Sequence, residues 1–180
     1  MTDTTDPEHE EVSRRDILNV AAVTASVVGA GLAAWPLIDS MNPAADVLAL
    51  STLEMDLNPI EEGQSVTVVW RGKPVFVRNR NQTEIDQARA DDSAALPHPE
   101  LDADRVQNPR WLVQIGICTH LGCIPLGQKP TEPKGDFGGW FCPCHGSHYD
   151  TSGRIRSGPA PRNLDIPEYV FLDDTTVRIG

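Results

Sequence analysis

Cys118-Thr119-His120-Leu121-Gly122-Cys123 and Cys142-Pro143-Cys144-His145-Gly146-Ser147-His148-Tyr149 are the two stretches on which the reading of the whole chain turns. All four cysteines of the 180-residue chain lie between Cys118 and Cys144, with one of its five histidines, His120, among them and two more, His145 and His148, just beyond. Scattered buried cysteines do not cluster in this way. Such density marks a metal site, a disulfide staple, or both. Zinc accepts a mixed Cys/His set in tetrahedral geometry, and so does an iron–sulfur cluster with two cysteines on one iron and two histidines on the other. Spacing leaves the choice of one cysteine per loop open and does not exclude zinc. Zinc fingers, however, place a cysteine pair before a histidine pair, whereas here each loop mixes the two. Two cysteines are left over, one per loop, and are available to pair.

Outward from these loops the chain reads as short strands broken by Gly and Pro. Trp111–Ile115 is a strand leading into the first loop. Ser65–Trp70 and Pro74–Arg78 flank Arg71-Gly72-Lys73 as a hairpin, and Tyr169–Leu172 and Thr175–Ile179 form a closing hairpin around Asp173-Asp174. Thr83 to Asp91 reads as a short helix, and Asp91 to Pro109 as a long polar loop. No internal repeat is visible. The pattern predicts an antiparallel sandwich or small barrel. Trp111 and Trp140 read as core. His9 and His98 lie in polar stretches and read as solvated.

Near the amino terminus, Ile17 to Ile38 contains no charged residue over 22 positions. As a helix it spans roughly 33 Å, about the thickness of a bilayer core. Ser13 and Asp16 have capping-box spacing, Trp35 lies where interfacial aromatics are common, and Pro36 is expected to end or kink the helix. Ser13-Arg14-Arg15-Asp16-Ile17-Leu18 also resembles a twin-arginine export signal, a route that suits a metalloprotein folded and loaded before translocation. The alternative is a cleaved signal peptide, but the apolar stretch is longer than a usual signal core. The expected organisation is a cytoplasmic segment 1–15, a transmembrane anchor 16–38, a flexible tether 39–49 and a periplasmic domain 50–180, with a cluster-binding subdomain at about 112–163. The formal charge is 15 − 26 = −11. It argues against a nucleic-acid partner, which needs clustered Lys and Arg, and permits steering toward a basic protein face.

The two cysteine/histidine segments, together with Phe137-Gly138-Gly139-Trp140-Phe141 before the second and Gly158-Pro159-Ala160-Pro161 after it, resemble the cluster-binding loops of the Rieske subunits of cytochrome bc-type complexes. With the anchor and tether the resemblance covers nearly the whole chain. It implies an all-β, Rieske-type antiparallel β-sandwich with a small cluster-binding subdomain, preceded by one transmembrane helix. It implies one 2Fe-2S cluster, with Cys118 and Cys142 on one iron and His120 and His145 on the other. Cys123 and Cys144 would then form a disulfide joining the loops. Ser147 and Tyr149 would hydrogen-bond to a cluster sulfide and a cysteine sulfur, and Gly158 to Pro161 would cover the cluster as a proline loop. Leu121, Gly122 and Pro159 would face a partner. His148 lies between two cluster-facing positions, so strand alternation turns it away.

The function implied is that of the electron-transfer subunit of a ubiquinol–cytochrome c reductase, a translocase in which this chain is not active alone. Ubiquinol would be oxidised at the outer quinol site, with proton release through His120 or His145. Movement of the head domain would then carry the electron to a c-type cytochrome. The implied partners are a cytochrome b subunit, a c-type cytochrome subunit, ubiquinol and the lipid around the anchor, within a dimeric complex in the bacterial inner membrane. A soluble Rieske ferredoxin or oxygenase component is the rival within the fold, but those normally lack the spare cysteines and the anchor. A plastoquinol–plastocyanin oxidoreductase subunit is another, against which Phe137–Phe141 speaks. One departure stands out. Between His120 and Cys142 lie 142 − 120 − 1 = 21 residues, more than the family's usual spacing. Gln128 to Lys134 is expected to form a surface excursion that leaves the ligand assignment intact but puts the local partner-facing surface in doubt.

Overall fold

The computed structural model describes residues 13–42 and 51–180, in two units that are treated separately. The segment at 1–12, with His9, and most of the expected tether lie outside the described residues.

The first unit contributes one helix, α1 (Arg14–Asp39). Its start follows from the sequence. The Ser13 hydroxyl accepts from the Arg15 amide and the Asp16 carboxylate accepts from the Ser13 amide, so two orphan donors of the first turn are satisfied. None of its side chains is buried, and its most apolar 18-residue window has a mean hydropathy of 1.9. It is long and apolar enough to cross a membrane. Pro36 does not end it: the helix runs on to Asp39, because Pro36 sits in the last turn and its carbonyl still receives the Ser40 amide.

The second unit holds three three-stranded antiparallel sheets. Strands β1 (Leu53–Asp56), β9 (Thr176–Ile179) and β8 (Tyr169–Phe171) form the first, in that order. β2 (Ser65–Trp70), β3 (Lys73–Asn79) and β4 (Trp111–Ile115) form the second; β5 (Gly138–Cys142), β6 (Ser147–Asp150) and β7 (Ile155–Ser157) form the third. In the middle sheet β3 and β4 are buried on both faces while β2 is partly exposed, and period-two alternation assigns the side chains. Val75, Val77, Trp111 and Val113 point into a core shared with Leu57, Ile60, Tyr169, Val177 and Ile179 of the first sheet's side. Phe76 and Leu112, on the opposite face, pack with Trp140, Tyr149, Ile155 and Leu164 beneath the third sheet. The sandwich thus has three sheets with a shared middle, which explains why Val75–Val77 and Trp111–Val113 run apolar without alternation.

Between β3 and β4 lies the segment expected as one helix and a long loop. The helix, α2, spans Gln82–Ala90 behind an Asn81 capping box with Glu84. The loop is more ordered than its composition implied: a 3₁₀ turn follows at Asp91–Ser93 and a short helix, α3, at Asp102–Arg105. Their anchors are buried charges. Asp102, Arg105 and the β6–β7 turn residues Asp150 and Arg154 are each at most 2% exposed.

Candidate metal centre

Each sequence loop is positioned by a strand end. β4 delivers the chain to Cys118, whose amide donates to the Cys123 carbonyl at 2.7 Å and whose carbonyl receives the Gly122 amide at 3.0 Å. The second loop is the tip of the β5–β6 hairpin. Cys142 ends β5 opposite Ser147 at the start of β6, and the Gly146 amide closes the turn on the Cys142 carbonyl at 3.0 Å. Gly146 has φ 74°, left-handed backbone that a side chain there would resist.

The structure brings the expected residues together. Cys123 and Cys144 form a disulfide linking the two loops. Cys118 and Cys142 are the free cysteines, both buried. The sulfurs of Cys123, Cys142 and Cys144 lie within 4.8 Å of one another; since two of these are bonded to each other, Cys142 is the one of the three whose thiol is left available to a metal. The imidazoles of His120 and His145 meet edge to face, centroids 4.7 Å apart. His120 Nδ1 is buried with no hydrogen-bond partner, whereas the His145 side of the pair is exposed. A buried ring nitrogen without a partner is costly unless something binds it.

The electrostatics of the sulfurs are set locally. Burial works to raise the Cys118 thiol, but donation from the Tyr149 hydroxyl and from the His120 amide outweighs it and leaves Cys118 below its usual range. Burial pushes the Cys142 thiol up, with neighbouring Cys118 adding to the shift. Burial also raises Tyr149, assisted by its bond to Cys118, so the phenol stays protonated as a donor. Its oxygen is 3.2 Å from Cys118 Sγ. Ser147 is fully buried, and its hydroxyl oxygen accepts from the Ala160 amide at 3.2 Å, which leaves the hydroxyl proton free to donate. Two buried thiols, two adjacent imidazoles and hydroxyl donors around the sulfur fit a [2Fe-2S] cluster held by Cys118, Cys142, His120 and His145.

His148 turns away, as alternation requires. Its Nδ1 accepts from the Asp136 amide at 3.1 Å and its ring packs on Phe141 with centroids 4.8 Å apart. Trp111 and Trp140 are core, and His98 is exposed. Around the loops, Leu121 is 71% exposed, and Gly122 and Pro159 are exposed too. The sequence reading missed Ile124, a second exposed apolar side chain at 58% beside the first loop, although its position directly after Cys123 was a usable signal. It also missed Thr119, whose hydroxyl donates to the Arg162 carbonyl at 2.6 Å and ties the first loop to the segment after Pro161. The Gln128–Lys134 excursion is not a free projection. Glu132 accepts from the amides of Gly127, Gln128 and Lys129, Gln128 meets Ser65 at the start of β2, and Lys134 lies 4.0 Å from Glu84. It is a surface excursion pinned to the flank of the middle sheet.

Two family models match the chain. One, described as ubiquitinol-cytochrome C reductase Fe-S subunit TAT signal, covers residues 4–44, and the other, the Rieske [2Fe-2S] domain, covers residues 54–169. A curated relative from Rhodospirillum rubrum, named ubiquinol-cytochrome c reductase iron-sulfur subunit, is 64% identical over 170 residues, 94% of this chain and 93% of its own length. A relative of the same name from Rickettsia prowazekii is 53% identical over an alignment of 182 positions that covers 100% of both chains. Among solved structures, a chain of a hyperthermophilic respiratory Complex III aligns over 88% of this chain and 98% of its own, with a TM-score of 0.54 and 26% identity.

Proposed function

Because the chain belongs to the family of Rieske iron–sulfur subunits of ubiquinol–cytochrome c reductases, we propose that its head domain takes single electrons from ubiquinol and passes them to a c-type cytochrome within the assembled complex. The apolar helix and the matched export signal support anchoring in a membrane. The expected orientation puts the arginines of Ser13–Leu18 in the cytoplasm and the head in the periplasm of the bacterial inner membrane. The partners on this reading are a cytochrome b subunit, a c-type cytochrome subunit and the anchor's lipid, in a dimeric complex.

The observation that carries the reading is the histidine pair, with one buried ring nitrogen lacking a partner and an imidazole edge open to solvent. A bound cluster of this ligation supplies reversible one-electron chemistry at a potential of roughly −150 to +300 mV, since neutral imidazoles replace two anionic thiolates. Cys118 and Cys142 would hold one iron and His120 and His145 the other. Tyr149 and Ser147 donate hydrogen bonds toward sulfur and favour the reduced state. The outward imidazole nitrogen of His145 or His120 accepts a hydrogen bond from the quinol hydroxyl and then the proton itself. Leu121, Gly122 and Pro159 offer the apolar contact that excludes water around that bond. Delivery to the cytochrome follows from movement of the head on its tether.

Electron paramagnetic resonance of reduced native membranes, with and without an inhibitor of the outer quinol site, tests this. A Rieske-type spectrum that shifts when the inhibitor binds is expected. A spectrum indifferent to the inhibitor would sink the quinol contact, and the absence of that spectrum would sink the cluster itself.

A further inference from the structure

The segment Gly158–Arg162 lies directly on the second cluster loop. A side chain at Gly158 (φ 99°) would meet the Gly146 carbonyl at 2.4 Å, so only glycine permits this approach. Two residues on, the Ala160 amide donates to Ser147 Oγ at 3.2 Å. That bond occupies an acceptor site of the hydroxyl and thereby fixes where its proton points. What holds the segment in place lies beyond its far end, in the insertion between β3 and β4.

Asn163 is 3% exposed, and every polar atom of its side chain is engaged. Its Oδ1 accepts from the Ile155 amide of β7 at 3.0 Å. Its Nδ2 donates to Glu100 Oε2 at 2.8 Å and to the His98 carbonyl at 3.2 Å. Glu100 is itself gripped by Arg105 at 2.5 Å, and the same guanidinium donates to the Leu164 and Ser152 carbonyls, each at 2.7 Å. Arg105 is 2% exposed and belongs to α3. Residues 98–105 therefore clasp the backbone immediately after the proline loop, through one amide and one guanidinium that share one carboxylate.

We infer that Asn163 is a positioning residue for the cluster environment: held by Glu100 and Arg105, it fixes the proline loop so that the Ala160 amide orients the Ser147 hydroxyl toward sulfur. The insertion is thus a brace for the metal centre. The inference rests on the reading of Ser147 as a donor to the centre. It adds that this donor is set from a distance by residues that touch neither ligand nor sulfur. Losing the brace withdraws hydrogen bonding from sulfur and lowers the potential, and it frees the Ala160 amide to exchange.

The test uses the full-length chain, purified with its cluster, in four variants: Asn163→Ala, Glu100→Ala, Glu100→Gln and Ser147→Ala. Iron and sulfide content, midpoint potential, the resonance spectrum and the exchange rate of the Ala160 amide are measured in each. Asn163→Ala and Glu100→Ala should keep the cluster, lower the potential and speed that exchange roughly tenfold, the loss of about one hydrogen bond. Glu100→Gln retains an acceptor for Asn163 Nδ2 and should restore most of both. If Asn163→Ala fails to load, Glu100→Ala decides, since it leaves the Asn163–Ile155 bond in place. Lowered thermal stability with unchanged potential and unchanged exchange overturns the inference. An unchanged potential in Ser147→Ala overturns instead the reading beneath it.

Discussion

The Tyr149 hydroxyl donates to Cys118 Sγ across 3.2 Å, inside a core where both residues are at most 2% exposed. A phenol so buried has no competing water, so its proton stays on the sulfur side. Hydrogen bonds to a charged acceptor contribute about 1.5–3 kcal/mol, of which the part that differs between oxidation states moves the potential. If about 1 kcal/mol differs, Tyr149→Phe should lower the midpoint on the order of 40 mV, by the one-electron relation of roughly 59 mV per tenfold. Ser147→Ala should act in the same direction. Potentiometric titration followed by resonance reads both, and a midpoint equal to that of the unaltered chain would remove the hydroxyl concerned from the account.

The centre was legible in the sequence because its chemistry needs few residue types on two short loops. His120 and His145 lie edge to face, Cys118 and Cys142 are left free and buried, and Cys123 and Cys144 pair, an arrangement compatible with the ligand set the motif implied. The three-sheet arrangement was less visible, although the unalternated runs Val75–Val77 and Trp111–Val113 carried its trace. What escaped was the order in 91–109. Hydrophobic periodicity is blind to a segment held by charge, and Asp102, Arg105 and Arg154 look like solvated residues until partners more than 20 positions away, such as Arg80 and Ser152, fold against them. Gln128–Lys134 escaped for the same reason: its anchors, Ser65 and Glu84, lie far off in sequence.

The Cys123–Cys144 disulfide closes a separation of 21 residues and ties the two ligand loops at their tips. Its loss releases loop entropy in the unfolded chain, a cost of about 2–5 kcal/mol. Cys123→Ser should therefore lower the thermal midpoint and reduce the cluster retained on purification. Iron content and a melting curve on the same preparation check this; identical melting in the two forms would show that the bond contributes nothing.

Acid should loosen the insertion. Burial works to raise the Glu100 carboxyl, but Asn163 and Arg105 overcome it and hold the group below its usual range. Asp102 is likewise lowered, against burial, by Arg80 and Ser152. A carboxylate depressed in the folded state contributes stability above its unfolded pKa, about 4, and that contribution is lost as pH falls through the lower folded value. Stability should thus hold near neutrality and decline below about pH 4. Asp102→Ala leaves Arg80, 1% exposed, without its carboxylate, and should cost about 3–5 kcal/mol at pH 7. In that variant the acid limb should flatten. Denaturant melts at pH 3.5 and pH 7 separate these outcomes, and equal destabilisation of the variant at both pH values would contradict the pairing.

The histidine pair makes the sharpest demand on the centre. His120 turns a buried, unpartnered Nδ1 inward while the His145 side is open to solvent, so the two rings can bind iron at one nitrogen and exchange protons with water at the other. An outward N–H is held less tightly when the iron it serves is oxidised, because the extra positive charge repels the proton. Reduction then takes up a proton, and the midpoint potential should fall with rising pH, approaching roughly 59 mV per pH unit where one proton accompanies one electron. A midpoint constant from neutral to strongly alkaline pH would mean that the exposed imidazole edge carries no proton, and the quinol's proton would need another acceptor.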